Sequence, residues 1–324
     1  MREIPISAIE NIKIGNAEDA VGGTGCTVIV CEQGAMAAVD RRGGGAAARE
    51  TAILNPLAAA QPVHAVLLSG GSSFGLDAAG GVMQYLEEKD IGLDTGFAKV
   101  PLVCAAGIFD LVVGMPSTRP GRKLAYKACV NAEKNEPAEG NAGAGMGATV
   151  GKYHGIYSMM KSGLGIYAAA VGDLQVGAVT VVNCLGDVYD AEYGHIIAGM
   201  LNEDSCSFAN TEKSMFKDHH KKENLLGANG TVAALVTNGK FTPAELSQIA
   251  AMAQTGLARA IRPAHTLVDD DSVYALSAGN IEADVNIAGT LAASVLARAI
   301  NRAVLQAEPV FGLTAAKAMK KREV

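Results

Sequence analysis

Apolar runs rich in β-branched residues recur at Cys26–Cys31, Ala65–Leu68, Ile166–Ala170, Val176–Asn183 and Val232–Thr237, each bounded by glycine or polar turn residues. Short continuous runs bounded in this way are the pattern of strands buried on both faces. Between them, Leu76–Glu88, Pro243–Gly256 and Asn286–Gln306 carry apolar residues at helical spacing. The second of these opens on Thr242-Pro243-Ala244-Glu245, which places an N-cap at Thr242 and proline at the first helical position. Strands and helices mixed without a regular βαβ rhythm predict an α+β layered sandwich rather than a doubly wound parallel sheet. No repeat or linker divides the chain, so residues 1–324 read as a single domain. The one break in the pattern is Asn202–Asn229, polar and charged around Lys213 to Lys222, which predicts an exposed loop.

Composition sharpens this picture in one respect. Thirty-eight glycines, no tryptophan and 5% aromatics predict layers of sheet and helix whose backbones approach closely, rather than a core built on large rings. A net charge of −6 with scattered Lys and Arg offers no basic face for nucleic acid, and the basic tail Lys317 to Arg322 reads as a solvated helix end. No apolar run is long enough to span a membrane, and Met1-Arg2-Glu3-Ile4 lacks a signal-peptide core, so a cytoplasmic protein is expected. Cys26, Cys31, Cys104, Cys129, Cys184 and Cys206 form no CxxC pair, which fits buried thiols better than disulfides or zinc. Neither a metal nor a cofactor is expected.

The most informative junction is Asn229-Gly230-Thr231, which runs straight into the strand Val232-Ala233-Ala234-Leu235-Val236. Asn-Gly is a common turn dipeptide, so a turn that merely opens a strand is one reading. The other is chemical. Cleavage before Thr231 would give its hydroxyl a free α-amine as neighbour, and that amine can serve as general base while the hydroxyl is the nucleophile.

Other segments could complete such a site. Val66 to Asp77 reads as a strand, a glycine turn and a helix start; it lacks the ending of a nucleotide P-loop, so we read it as a tight turn lining a pocket, with Ser72, Ser73 and Phe74 toward substrate. Asn141–Lys152 has four glycines before Lys152 and is either a flexible surface loop or a pocket wall that brings the lysine to a developing oxyanion. Asn183 ends an apolar strand and is either a turn former or an oxyanion donor. Asp269-Asp270-Asp271 clusters three carboxylates without the glutamate of an EF-hand loop, and could instead hold the new α-amine of Thr231. His265 has no Ser or Cys at a diagnostic spacing and reads as structural.

Taken together, Gly22-Gly23-Thr24-Gly25-Cys26-Thr27-Val28, Arg49-Glu50-Thr51, the run from Val63 to Ala78, Ile108-Phe109-Asp110-Leu111, Gly147 to Lys152, Val182-Asn183, and His265-Thr266 with Asp269 and Asp271 resemble the DmpA-type aminopeptidase family. This family comprises L-aminopeptidase/D-amidase-esterases, β-peptidyl aminopeptidases and nylon-oligomer hydrolases, and the likeness covers most of the chain. The resemblance implies a four-layer αββα sandwich and autoproteolysis into a large subunit, 1–230, and a small one, 231–324. It implies an N-terminal nucleophile acting on small peptides or amides with a free amino terminus, and a homo-oligomer, a tetramer. It places the nucleophile at Thr231, the oxyanion asparagine at Asn183, the active-site lysine at Lys152 and the acidic pair at Asp269 and Asp271. Relatives commonly read Asn-Thr-Thr or Gly-Ser at the cleavage junction, and an ungapped match to Asn-Thr-Thr sets Gly230 at the nucleophile position; a one-residue slip restores Thr231. Arg42 to Arg49 also lacks the Pro-Gly that relatives often carry there, which affects pocket shape. Two further functions compatible with these residues are acyl transfer to an amine on a related fold, and a binding or structural role for a chain that no longer processes itself.

Overall fold

The 20-residue strand Thr24–Gly43 belongs to two sheets at once. The computed structural model describes residues 1–59, 61–204, 207–219 and 229–320. In chain order the strands of the ten-stranded ladder are β1 (Arg2–Glu3), β2 (Lys13–Asp19), β3 (Thr24–Gly43), β4 (Ala48–Arg49), β5 (Val63–Ser69), β6 (Val103–Gly107), β7 (Leu164–Val171), β8 (Leu174–Asn183), β9 (Gly230–Gly239) and β10 (Asp270–Ile281). The second half of β3 closes a sheet in the order β1-β7-β8-β9-β10-β3. Its first half lies between β2 and β5, and β5 continues through β6 to β4. The pairs β9/β10 and β5/β6 are parallel, and the rest are antiparallel.

Side chains alternate across each strand, so the two sheets need three apolar layers. Ile29, Val66 and Leu68 meet Val179, Val181, Val232, Ala234 and Tyr274 between the sheets. The outer face of the first sheet, with Val182, Ala233, Leu235 and Val273, packs on α4 (Pro243–Ala260) and α5 (Val285–Gln306). These follow α1 (Ala79–Glu88), α2 (Arg122–Ala132) and the short α3 (Thr211–Lys217) in the chain, and α6 (Ala316–Lys320) comes last. The outer face of the second sheet packs on α1 and α2 through Val28, Leu67, Val82, Leu86, Ala125 and Cys129. The layer order is helix, sheet, sheet, helix, the αββα sandwich expected from the resemblance.

Glycine makes this layering close. A Cβ at Gly165 on β7 would stand 1.9 Å from the carbonyl oxygen of Ala299 on α5, and one at Gly256 on α4 would stand 2.0 Å from that of Ala293. Both are far inside van der Waals contact, so side chains at these positions would force the layers apart.

The five expected strands and three helices are present, one helix starting later and one strand running further than expected. Leu76–Ala78 belongs to a 3₁₀ turn, Ser72–Ala78, and α1 begins only at Ala79, because the chain folds back tightly enough that a Cβ at Gly75 would meet the Gly70 carbonyl at 1.8 Å. The strand predicted to end at Cys31 runs on to Gly43, its second half, Met36 to Gly43, held by the ladder to β10. The helix α2 was not anticipated: its buried stripe is Ala125, Ala128, Cys129 and Ala132, too small to mark an amphipathic period. Within Asn202–Asn229, α3 is capped by Asn210, which accepts from Lys213 N. Residues 205, 206 and 220–228 lie outside the described residues, Cys206 and Lys221 to Lys222 among them; so does the end of the basic tail. The other five cysteines are buried and free. No helix among the described residues is long and apolar enough to cross a membrane.

Candidate active site

Residues Asn229 to Thr231 enter the first sheet between two structures they cannot slide against. Asn229 N–H donates to Val268 O at 2.8 Å, and Asp270 N–H donates to Asn229 O at 3.0 Å. In the ladders, Gly230 faces Asn183 and Thr231 faces Val182, while on the other side Val232 is level with Ser272. Gly230 has φ +138°, and a Cβ there would lie 2.2 Å from the carbonyl oxygen of Asp270. That backbone position is open to glycine and strained for any other residue. Thr231 therefore carries the only hydroxyl that the junction admits.

Thr231 is fully buried, and its Oγ1 has no hydrogen-bond partner among the described residues. Its backbone N–H donates to Asp271 Oδ1 at 2.9 Å. The other oxygen of that carboxylate, Oδ2, receives the backbone N–H of His265 at 2.8 Å and lies 2.9 Å from His265 Nδ1. Since a carboxylate only accepts, Nδ1 carries the proton of this contact. His265 is thus joined to the candidate nucleophile through one carboxylate, a link that a spacing search for Ser or Cys partners could not reveal. Gln254 Nε2 on α4 donates to Asp271 O at 2.9 Å and to Asp40 O at 3.2 Å, fixing the backbone behind the carboxylate.

The three successive aspartates separate rather than converge. Asp269 Oδ1 accepts from Leu185 N at 3.2 Å and its Oδ2 from Thr266 N and Oγ1. Asp270 Oδ2 accepts from Ala47 N at 2.9 Å, and its Oδ1 from Ser272 Oγ at 2.5 Å. Burial, reinforced by the charge of Asp271, pushes Asp269 up to about 6. Among the described residues no three His, Cys, Asp or Glu side chains are grouped to hold a metal ion.

Lys152 and Asn183 form a second cluster. Lys152 Nζ donates to Asn183 O and to Asn183 Oδ1, each at 2.9 Å, and Thr149 N donates to the same Oδ1 at 3.1 Å. Asn183 Nδ2 donates to Phe109 O at 3.2 Å, which engages one of its two N–H groups. Burial lowers Lys152 to about 8. The segment Ala142–Lys152 is buried throughout, which excludes the surface-loop alternative.

Strand alternation sets these two clusters on opposite sides of the chain. Thr231 shares the helix-facing side with Val182, Ala233 and Val273, whereas Asn183 follows Val179 and Val181 to the side between the sheets. The Gly230–Thr231 peptide bond lies between them, with the hydroxyl and Asp271 on one side and the amide and ammonium on the other.

The glycine turn is already committed. Gly71 N–H donates to Asp110 Oδ1 at 2.7 Å, Ser72 N–H donates to Ile108 O at 2.9 Å, and Thr24 Oγ1 donates to Asp110 Oδ2 at 2.6 Å. Burial raises the Asp110 carboxyl. Phe74 is exposed with the Arg119 guanidinium 3.7 Å from its ring centre, and no hydrogen bond among the described residues joins Ser72 or Ser73 to Thr231. The structure also reveals Lys161, fully buried, whose Nζ donates to the carbonyls of Gly145, Ala148 and Ser162, and which burial lowers to about 7. A lone lysine between Met160 and Ser162 gave no sequence signal of that role.

Comparison with known proteins decides the family. The model of peptidase family S58 matches residues 5–318. The chain belongs to peptidase family S58. An uncharacterized aminopeptidase of Mycobacterium leprae is 38% identical over 312 residues, covering 89% of this chain and 84% of that protein. A 6-aminohexanoate-oligomer endohydrolase of Kocuria sp. (strain KY2) is 33% identical over 275 residues, 84% of this chain and 74% of the relative. Among solved structures, the L-aminopeptidase D-Ala-esterase/amidase of Ochrobactrum anthropi superposes with a TM-score of 0.71 at 16% identity, covering 98% of this chain and 94% of that one. A β-aminopeptidase of Burkholderia sp. superposes with a TM-score of 0.67 at 16% identity, over 99% and 94%. The Ochrobactrum protein is described as a variant of the Ntn-hydrolase fold, and this S58 chain shares that architecture.

Proposed function

We propose that this S58 protein is a self-processing amide hydrolase in which cleavage between Gly230 and Thr231 frees Thr231 as an N-terminal nucleophile. The observation that carries this reading is the contact of Thr231 N–H with Asp271, combined with a buried Thr231 hydroxyl that has no partner among the described residues. A carboxylate already bonded to the peptide nitrogen is placed to hold the α-amine that cleavage would create. In the mature enzyme that amine takes the proton of Thr231 Oγ1, the hydroxyl attacks a substrate amide, and water hydrolyses the resulting ester. Asn183 retains one N–H for a developing oxyanion, and Lys152 orients the amide by holding its oxygen. Asp269 and Asp271 supply negative charge for the amino end of a substrate. The names of the relatives, aminopeptidase and oligomer endohydrolase, support small peptides or amides as the substrate class.

A second reading has one observation in its favour. Asn183 is opposite Gly230, which has no side chain, and not opposite Thr231. A chain in which the hydroxyl and the oxyanion donors face apart would fit a protein that folds as an S58 member and binds without cutting. Intact-mass spectrometry of freshly purified protein separates the two readings. Fragments 1–230 and 231–324, absent from Thr231→Ala, support the hydrolase; a single stable chain without amidase activity supports the second.

A further inference from the structure

Self-cleavage poses a problem that the mature mechanism does not solve. While the chain is intact, the nitrogen of Thr231 is an amide that donates to Asp271 Oδ1, so it cannot accept the hydroxyl proton. Some other base is needed for the first turnover, and the neighbouring groups are mostly engaged. Asp271 receives three N–H contacts on its two oxygens, and Asp269 is held by Leu185 and Thr266. Lys152 donates to Asn183 and lies on the other side of the strand.

His265 is different. Its Nδ1 donates to Asp271 Oδ2, so the neutral tautomer compatible with that bond carries its lone pair on Nε2, and Nε2 is buried without a partner among the described residues. Thr231 Oγ1 is likewise buried without a partner among the described residues. The two unpartnered atoms, not in hydrogen-bond contact with each other, thus belong to residues held on the two oxygens of one carboxylate, Thr231 through its backbone N–H and His265 through Nδ1. His265 also sits at φ +59°, a left-handed conformation that its two bonds to Asp271 maintain.

Resting on the self-processing reading above, we propose that His265, oriented by Asp271, is the general base that activates Thr231 for cleavage of its own chain. His265 Nε2 takes the proton from Thr231 Oγ1 as that oxygen bonds to the carbonyl carbon of Gly230. The imidazolium returns the proton to the Thr231 nitrogen as the C–N bond breaks, leaving an ester between Gly230 and Thr231 Oγ1. Water hydrolyses the ester to the Gly230 carboxylate, the free Thr231 hydroxyl and the new amine. The same histidine is not needed once that amine exists, so it serves maturation rather than turnover.

The test follows cleavage of newly synthesised full-length chain with time, reading fragment 231–324 by mass, in wild type, His265→Gln, His265→Ala and Thr231→Ala. The proposal expects His265→Gln to cleave at least about 100-fold more slowly, the lower range of general-base catalysis. It also expects added imidazole to restore cleavage to His265→Ala, which a residue with purely structural duties would not show; the His265 side chain is 21% exposed, so solute has access to its position. If His265→Gln cleaves at the wild-type rate, His265 is not the base and the Thr231 reading stands. Loss in both histidine variants without imidazole rescue also overturns the base role. Cleavage persisting in Thr231→Ala, or absent from wild type, overturns the self-processing reading itself and this proposal with it.

Discussion

The ammonium of Lys152 sits 2.9 Å from both the backbone and the side-chain oxygen of Asn183, so one buried cation sets the direction of one buried amide. Their effects on hydrolysis are expected to be coupled. Asn183→Ala should lower kcat by about 10²–10³, the loss found when one oxyanion donor is removed. Lys152→Met should lower it at least tenfold and add far less in the Asn183→Ala background than alone. A double-mutant cycle on kcat checks this, and additive effects would mean that the lysine acts independently.

Replacing Gly230 is expected to damage the fold before it alters chemistry. With φ at +138° and the Asp270 carbonyl 2.2 Å from any Cβ, Gly230→Ala should cost about 2 kcal/mol or more in urea unfolding. Gly230→Thr, which would restore the hydroxyl of the Asn-Thr-Thr form, should be worse still.

Asp271→Asn should be among the most destabilising substitutions at the site. An amide has one acceptor oxygen where the carboxylate has two, and three N–H contacts converge there. At least one buried donor is left unpaired, a loss of about 1–3 kcal/mol measurable by denaturant unfolding.

The buried lysines make stability depend on pH in a defined direction. Burial lowers Lys161 to about 7 and Lys152 to about 8, from 10.5. Between those values and 10.5 the folded chain binds fewer protons than the unfolded one, so stability rises as pH rises. Urea midpoints measured at pH 6.5 and 9.5 should increase for wild type. Lys161→Met should reduce that increase, and an unchanged increase would show that Lys161 is not the group titrating.

At the entrance to α4, Thr242 accepts from Glu245 N, and the Glu245 carboxylate accepts from Thr242 N at 2.8 Å. Thr242→Ala should lower stability by about 1 kcal/mol without affecting hydrolysis, since the cap lies at the far end of β9 from Thr231.

The capping pair illustrates what was legible in the sequence: Thr242-Pro243-Ala244-Glu245 states its own geometry within four residues. The buried strands were legible for the same local reason, as runs of Val, Ile and Leu between turns. What escaped depends on distance in the chain. His265 looked structural because its partner Asp271 takes meaning only from Thr231, 40 residues earlier, through the contact between that residue's nitrogen and the Asp271 carboxylate. Lys161 gave no signal because carbonyls contributed by Gly145 and Ala148 surround it, and a backbone acceptor leaves no mark on side-chain pattern. The side of the strand on which Thr231 lies was equally hidden, since it follows from register and not from composition.

All of β9 after Gly230, and all of β10, lie C-terminal to the junction, yet they sit inside the first sheet, with β8 on one flank and β3 on the other. They act as a keystone. A break at Gly230–Thr231 would leave the two pieces locked together along both flanks, so the new amino group would be born inside a closed arch and held there, and the severed chain would still travel through solution as one particle.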